Sequence, residues 1–225
     1  MKKTTLIPKG WLIVLGYLLS VSLVFSWTYN SEISISTNYP ERLAIAYSCG
    51  STIIHSADFE SGLDGWTSGG SDASRENNTT WSYSGDYSLR IRDDDASGST
   101  SSFDSPAFDL SSYDKVDFKF FFAPDSVEDT EEFMIEYSSD NGSTWTTVKV
   151  FEGGSVGDES ADFETTSSVI FYGKIVTLKS TDYTFPSSTI SKFRIRCNAS
   201  NNDDKVFIDN ITICLLYTSP SPRDA

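Results

Sequence analysis

From Asp58 onward the sequence is a succession of short segments in which apolar and polar residues alternate, each closed by a cluster of Gly, Asp, Asn or Ser. Alternation at period two puts one set of side chains on one face of an extended strand and the other set on the opposite face. Residues 87–92 (YSLRIR), 133–137, 146–151, 193–197 and 206–211 all follow it, whereas residues 116–122 (VDFKFFF) begin in alternation and end apolar throughout. That last pattern predicts a central strand covered on both faces. No stretch shows a capped 3.6-residue period, so an all-β sandwich is expected, with Gly153 to Thr166 left as an acidic surface loop.

Both ends depart from this pattern. Lys2, Lys3 and Lys9 precede an almost wholly apolar run, residues 11–25, and Val24 and Ser26 offer small residues before Trp27. This reads as a secretory signal over residues 1–26, with an uncleaved membrane anchor as the alternative. Residues 27–57 form a linker or edge segment, and the sandwich is placed at 58–213. Residues 214–225 (CLLYTSPSPRDA) switch abruptly to Ser and Pro. Up to Asp224 that string resembles the translation of a transposase adapter used in preparing sequencing libraries, which implies that the natural protein continues past Ile213 with other residues and that Cys214 is not its own.

Composition narrows the chemistry. With 17 Lys+Arg against 32 Asp+Glu the net charge is −15, which excludes the basic footprint a nucleic-acid partner needs. One histidine, His55, removes most imidazole-based catalysis and any His-rich metal site. No Gly-x-Ser-x-Gly elbow is present, and no spacing sets two carboxylates up for acid–base work. The expectation is therefore a non-enzyme. Export makes Asn77, Asn78 and Asn198 candidate glycosylation sites; Asn141 and Asn210 also lie in sequons, Asn210 inside an expected buried strand. Cys49 and Cys197 are a candidate disulfide, with a buried thiol at Cys197 as the alternative.

Residues 57–66 (ADFESGLDGW) resemble the opening of a MAM domain, an extracellular jelly-roll module, with Ala57 and Asp64 standing at the two cysteine positions of that family. Gly85-Asp86-Tyr87, Ser105-Pro106 and Ile208-Asp209-Asn210-Ile211 resemble further pieces of the same pattern, over about residues 57–213. The resemblance implies a two-sheet antiparallel β-sandwich of jelly-roll type. It also suggests a structural calcium ion between first and last strands, with Asp58 or Glu60 and Asp209 as ligands. Asp93, Asp95, Ser97, Gly98 and Asp104 separately match a calcium-loop spacing, for which a solvated acidic turn is the alternative. Residues 138–145 (SSDNGSTW) fit an Asp-box, a hairpin turn in which Asp140 binds backbone N–H groups and Gly142 takes positive φ.

Trp66, Trp81 and Tyr83 are candidates for an aromatic platform against which a sugar stacks, or for core packing. The functional expectation is a secreted or surface-held adhesion and recognition module, MAM-like, whose partner is a cell-surface or matrix protein or a glycan. Membrane contact would come only through the N-terminal segment. The alternative is a carbohydrate-binding jelly-roll module, accessory to an enzyme truncated from the C-terminus.

Overall fold

The computed structural model describes residues 23–27, 31–35, 52–92, 101–165, 168–200 and 203–216, in two units divided at Gly50. In the first, β1 (Leu23–Trp27) and β2 (Ser31–Ile35) form an antiparallel hairpin with Leu23 opposite Ile35. The rest of the expected signal segment, residues 1–22, lies outside the described residues, as does Cys49. Among the described residues no helix is long and apolar enough to cross a membrane.

The second unit is an all-β sandwich of jelly-roll type. One sheet contains β12 (Tyr172–Lys179), β8 (Lys115–Asp125), β14 (Lys205–Leu216), β6 (Tyr87–Arg92) and β5 (Ala73–Asn77), in that order. Strand β3 (Thr52–Ala57) lies beside the C-terminal half of β14, with Ala57 opposite Ile211, while β6 lies beside its N-terminal half. The other sheet runs β11 (Phe163–Glu164), β10 (Thr146–Gly154), β9 (Glu132–Ser138), β13 (Lys192–Asn198), β7 (Ser102–Asp104) and β4 (Thr67–Ser68). The pairs are antiparallel except β10 with β11, which is parallel.

Alternation decides what fills the space between the sheets. Phe118, Phe120 and Phe122 of β8 point inward against Phe133, Phe151 and Phe193 of the facing sheet, and Phe133 stacks on Phe151 at 4.8 Å. The tail of residues 116–122 turns apolar because Phe121, on the opposite face of the same strand, is covered as well. The acidic loop expected over 153–166 is only partly a surface loop: β11 inserts Phe163 into the core, where its ring meets Phe122 edge-on at 5.6 Å. Two residues of pairing were too short to register as alternation.

The cysteine expectation is corrected. Cys197 is a buried thiol outside any disulfide, facing the core from β13, so it does not pair with Cys49. Cys214 is the disulfide-bonded one. It lies within β14, which pairs with β8 from Thr212 through Leu216 and buries Leu215.

Candidate functional site

The sequence fragments separated by up to 150 positions meet at one place. Phe59 adopts φ +61°, turning the chain after β3 so that Glu60 reaches the turn before β6. There its carboxylate accepts from the N–H of Asp86 at 3.1 Å and of Tyr87 at 2.9 Å. Gly85, at φ +66°, lies directly under that carboxyl group, and a Cβ there would overlap it. Arg75 closes the other side, donating from Nε to the Phe59 carbonyl at 2.6 Å and from Nη2 to the Glu60 carbonyl at 2.8 Å, with its guanidinium over the Tyr87 ring. Asp64 accepts from Phe59 N–H at 2.8 Å and so holds the turn after β3.

Asp209 joins the clasp from β14. It is wholly buried and accepts from Ser84 N–H at 3.0 Å and Asn210 N–H at 2.7 Å, and Asn210 takes φ +49° at a break in the β14–β8 register. Burial pushes the Asp209 pKa up to about 6 against the pull of its backbone donors, and the Glu60 charge adds to the rise. Glu60 and Asp209 are therefore brought together, whereas Asp58 is exposed and accepts from Glu60 N–H at 3.2 Å. Among the described residues no group of three or more His, Cys, Asp or Glu side chains is placed to hold a metal ion. Asp104 has both carboxylate oxygens committed to Arg194, at 2.7 and 3.1 Å; Asp93 and Asp95 lie outside the described residues.

The clasp fixes the β5–β6 loop over the outer face of its sheet. Asn78 N–H donates to the Asp86 carbonyl, and Trp81 N–H to the Asn78 carbonyl, both at 2.9 Å. The loop lays Trp81 flat on Phe207 of β14, 4.8 Å between centroids and 15° between planes, and Tyr83 flat on Phe121 of β8, at 3.6 Å and 8°. Phe171 meets Tyr83 edge-on at 5.7 Å. Gly173, opposite Phe121 on β12, has no side chain because a Cβ would stand 2.9 Å from that ring. Phe121 pairs with Asp209 and Ala123 with Phe207, so the two supporting rings are diagonal neighbours on adjacent strands. Such neighbours stand about 7–8 Å apart. Trp81 and Tyr83 are half-buried, each with one face held by a ring beneath.

Trp66 does not share this platform. It is 3% exposed, meets Phe118 edge-on at 6.1 Å, and donates from Nε1 to His55 Nε2 at 3.1 Å. Burial lowers the His55 pKa, with Asp64 opposing, which suits an imidazole that accepts a hydrogen bond as a neutral ring. Sequence reasoning missed Phe121, Phe171 and Phe207, because an outward-facing aromatic reads as an interruption of alternation until its cover is seen.

The Asp-box forms the expected turn. Asp140 accepts from Thr144 N–H at 2.8 Å and Thr144 Oγ1 at 2.6 Å, bonds that hold its carboxyl down at about 2, and Gly142 has φ +88°. Trp145 sits beneath the Arg194 guanidinium at 4.0 Å. Asn77 and Asn78 are exposed at the end of β5, with Asn78 Oδ1 accepting from Thr80 N–H. Asn198 is exposed and donates to Glu132 at 3.0 Å.

No protein-family model matches the sequence, and no curated protein matches it. Several solved structures are similar to the chain. The K1 cleaved adhesin domain of Lys-gingipain from Porphyromonas gingivalis W83 superposes with a TM-score of 0.51 at 17% identity, over 73% of this chain and 99% of that one. A CBM22-1 xylan-binding domain from Paenibacillus barcinonensis Xyn10C gives 0.45 at 13% identity, over 75% and 97%. A carbohydrate-binding module, CBM28, specific for non-crystalline cellulose gives 0.46 at 17% identity, over 70% and 92%.

Proposed function

We propose that the sandwich is a non-catalytic extracellular recognition module that binds carbohydrate across the rings of Trp81 and Tyr83. The observation that carries this reading is the pair of half-exposed rings, each stacked on a second ring of the sheet beneath. A pyranose offers a face of C–H bonds that packs on an aromatic ring, and rings already locked by stacking lose little conformational freedom on binding. Retardation of the full chain in gels containing soluble polysaccharides tests it. At least one polysaccharide is expected to slow the wild type and not the Trp81→Ala chain; equal mobility of both in every gel overturns the reading.

A second reading, a MAM-like adhesion module for a cell-surface or matrix protein, is supported by a specific observation. Three fragments of the family-like pattern, around Glu60, Gly85–Tyr87 and Asp209, close on one another. Both readings take the chain as secreted or held at the cell exterior. They also take residues 214–225 as adapter-derived, so that transcript extended from the codons near Phe193 is expected to diverge from this sequence after Ile213.

A structural calcium ion belongs to the same proposal. Glu60 and Asp209 are the side chains that would hold it, and their like charges, one wholly buried, suit a hard cation. The folded Asp209 pKa near 6 lies above its ordinary 3.8, so its contribution to stability is full below that ordinary value and is lost as pH rises through 6. In chelator, the stability of the wild type over Asp209→Asn is expected to grow by up to about 3 kcal/mol from pH 7 to pH 4. His55 titrates in both chains and cancels. Calcium at pH 7 is expected to raise the wild-type melting midpoint and leave the variant unmoved; an unmoved wild type removes the ion.

A further inference from the structure

Away from the aromatic face, the β9–β10 hairpin and the turn after β12 line an open depression of about 230 Å³. Its walls are Tyr137, Ser139, Thr144, Thr146, Asp182, Tyr183 and Thr184. Two devices make these walls rigid. Tyr137 is buried, with its hydroxyl bonded to the Thr184 carbonyl at 2.8 Å and to Ser191 Oγ at 2.9 Å. Thr144 is tied to Asp140 through both its N–H and its hydroxyl. The Tyr183 ring stands edge-on to Tyr137 at 5.9 Å.

The chemistry of the lining is one-sided. Six of the seven lining residues carry hydroxyls, the seventh is a carboxylate, and none of the seven is cationic. Among the described residues, the hydroxyls of Ser139, Thr146, Tyr183 and Thr184 have no hydrogen-bond partner within the protein, and the Asp182 carboxylate accepts from the Thr181 hydroxyl alone, at 2.9 Å. Hydroxyls donate and accept alike, and a carboxylate accepts from two adjacent hydroxyls of one molecule. Asp182, with Asp140 ionised behind the turn, repels anions.

We infer that this opening is a second binding site, for a single neutral sugar residue presenting a vicinal diol to Asp182 with one face toward Tyr183. It does not rest on the aromatic face. The two are separable: the platform takes a chain lying across a sheet, and this opening takes one ring or a chain end.

The test is amide-shift titration of the full chain with methyl glycosides of glucose, galactose and mannose, with methylammonium as the cationic control. Saturable shifts are expected at residues 139–146 and 182–184 for at least one glycoside, weakened at least tenfold in both Asp182→Asn and Thr146→Val and unchanged in Trp81→Ala. The inference is overturned if no glycoside gives saturable shifts there, if Asp182→Asn binds as the wild type does, or if methylammonium saturates the site at lower concentration than every glycoside. Loss of these shifts in Trp81→Ala would also overturn it, by placing the sugar on the platform.

Discussion

Gly85→Ala is expected to lower stability by about 3–4 kcal/mol. Two costs combine. A non-glycine residue held at φ +66° costs about 1–2 kcal/mol. The added Cβ also overlaps the Glu60 carboxyl group, which has to leave the N–H groups of Asp86 and Tyr87. Losing hydrogen bonds to a charged group costs about 1.5–3 kcal/mol. For a domain of this size the melting midpoint falls by roughly 10 °C. Gly157→Ala is the matched control, because Gly157 has φ +88° but nothing within 4 Å of the added atom. Thermal melts of the two variants separate strain from clasp. If Gly85→Ala melts no lower than Gly157→Ala, the carboxylate of Glu60 does not hold the turn.

The second large effect is on binding. Trp81→Ala removes a ring that stacks on Phe207, and Tyr83→Ala one that stacks on Phe121. Aromatic anchors at the centre of a binding surface are worth about 2 kcal/mol or more each, so each variant is expected to bind polysaccharide about 30-fold more weakly. Trp145→Ala, which removes a ring covered by Arg194 on the other sheet, is expected to bind as the wild type does. Titration calorimetry with whichever polysaccharide retards the chain reads all three. Melting midpoints are compared alongside, since both platform rings also cover the sheet beneath them.

The strands were legible in the sequence because one face of each is dry and the other wet, and period two records that difference residue by residue. Strand β6 falls where its alternation begins and ends, at Tyr87 and Arg92. The clasp was legible in part: the family resemblance set Asp58 or Glu60 beside Asp209 between first and last strands. What the fold adds is the choice of Glu60 and the backbone N–H groups of Ser84, Asp86 and Tyr87 that the two carboxylates hold. Trp66 and Trp81 were indistinguishable as sequence, both following turn residues. The structure separates them because His55 on β3 supplies a buried acceptor for one indole, whereas the other lies on an outer face. The cysteine pairing was illegible for a different reason: with Cys214 read as adapter-derived, Cys49 and Cys197 were left as the pair, and a count carries no geometry, whereas Cys197 faces the core from a strand interior.

The central claim is that saccharide lies on the Trp81–Tyr83 face, and hydroxyl-radical footprinting of the full chain reads it directly. Oxidation of Trp81, Tyr83 and Phe171 is expected to fall when a retained polysaccharide is added, with Trp66 and Trp145 unchanged. Protection confined to other aromatic residues, with Trp81 and Tyr83 oxidised as in the protein alone, would contradict the account.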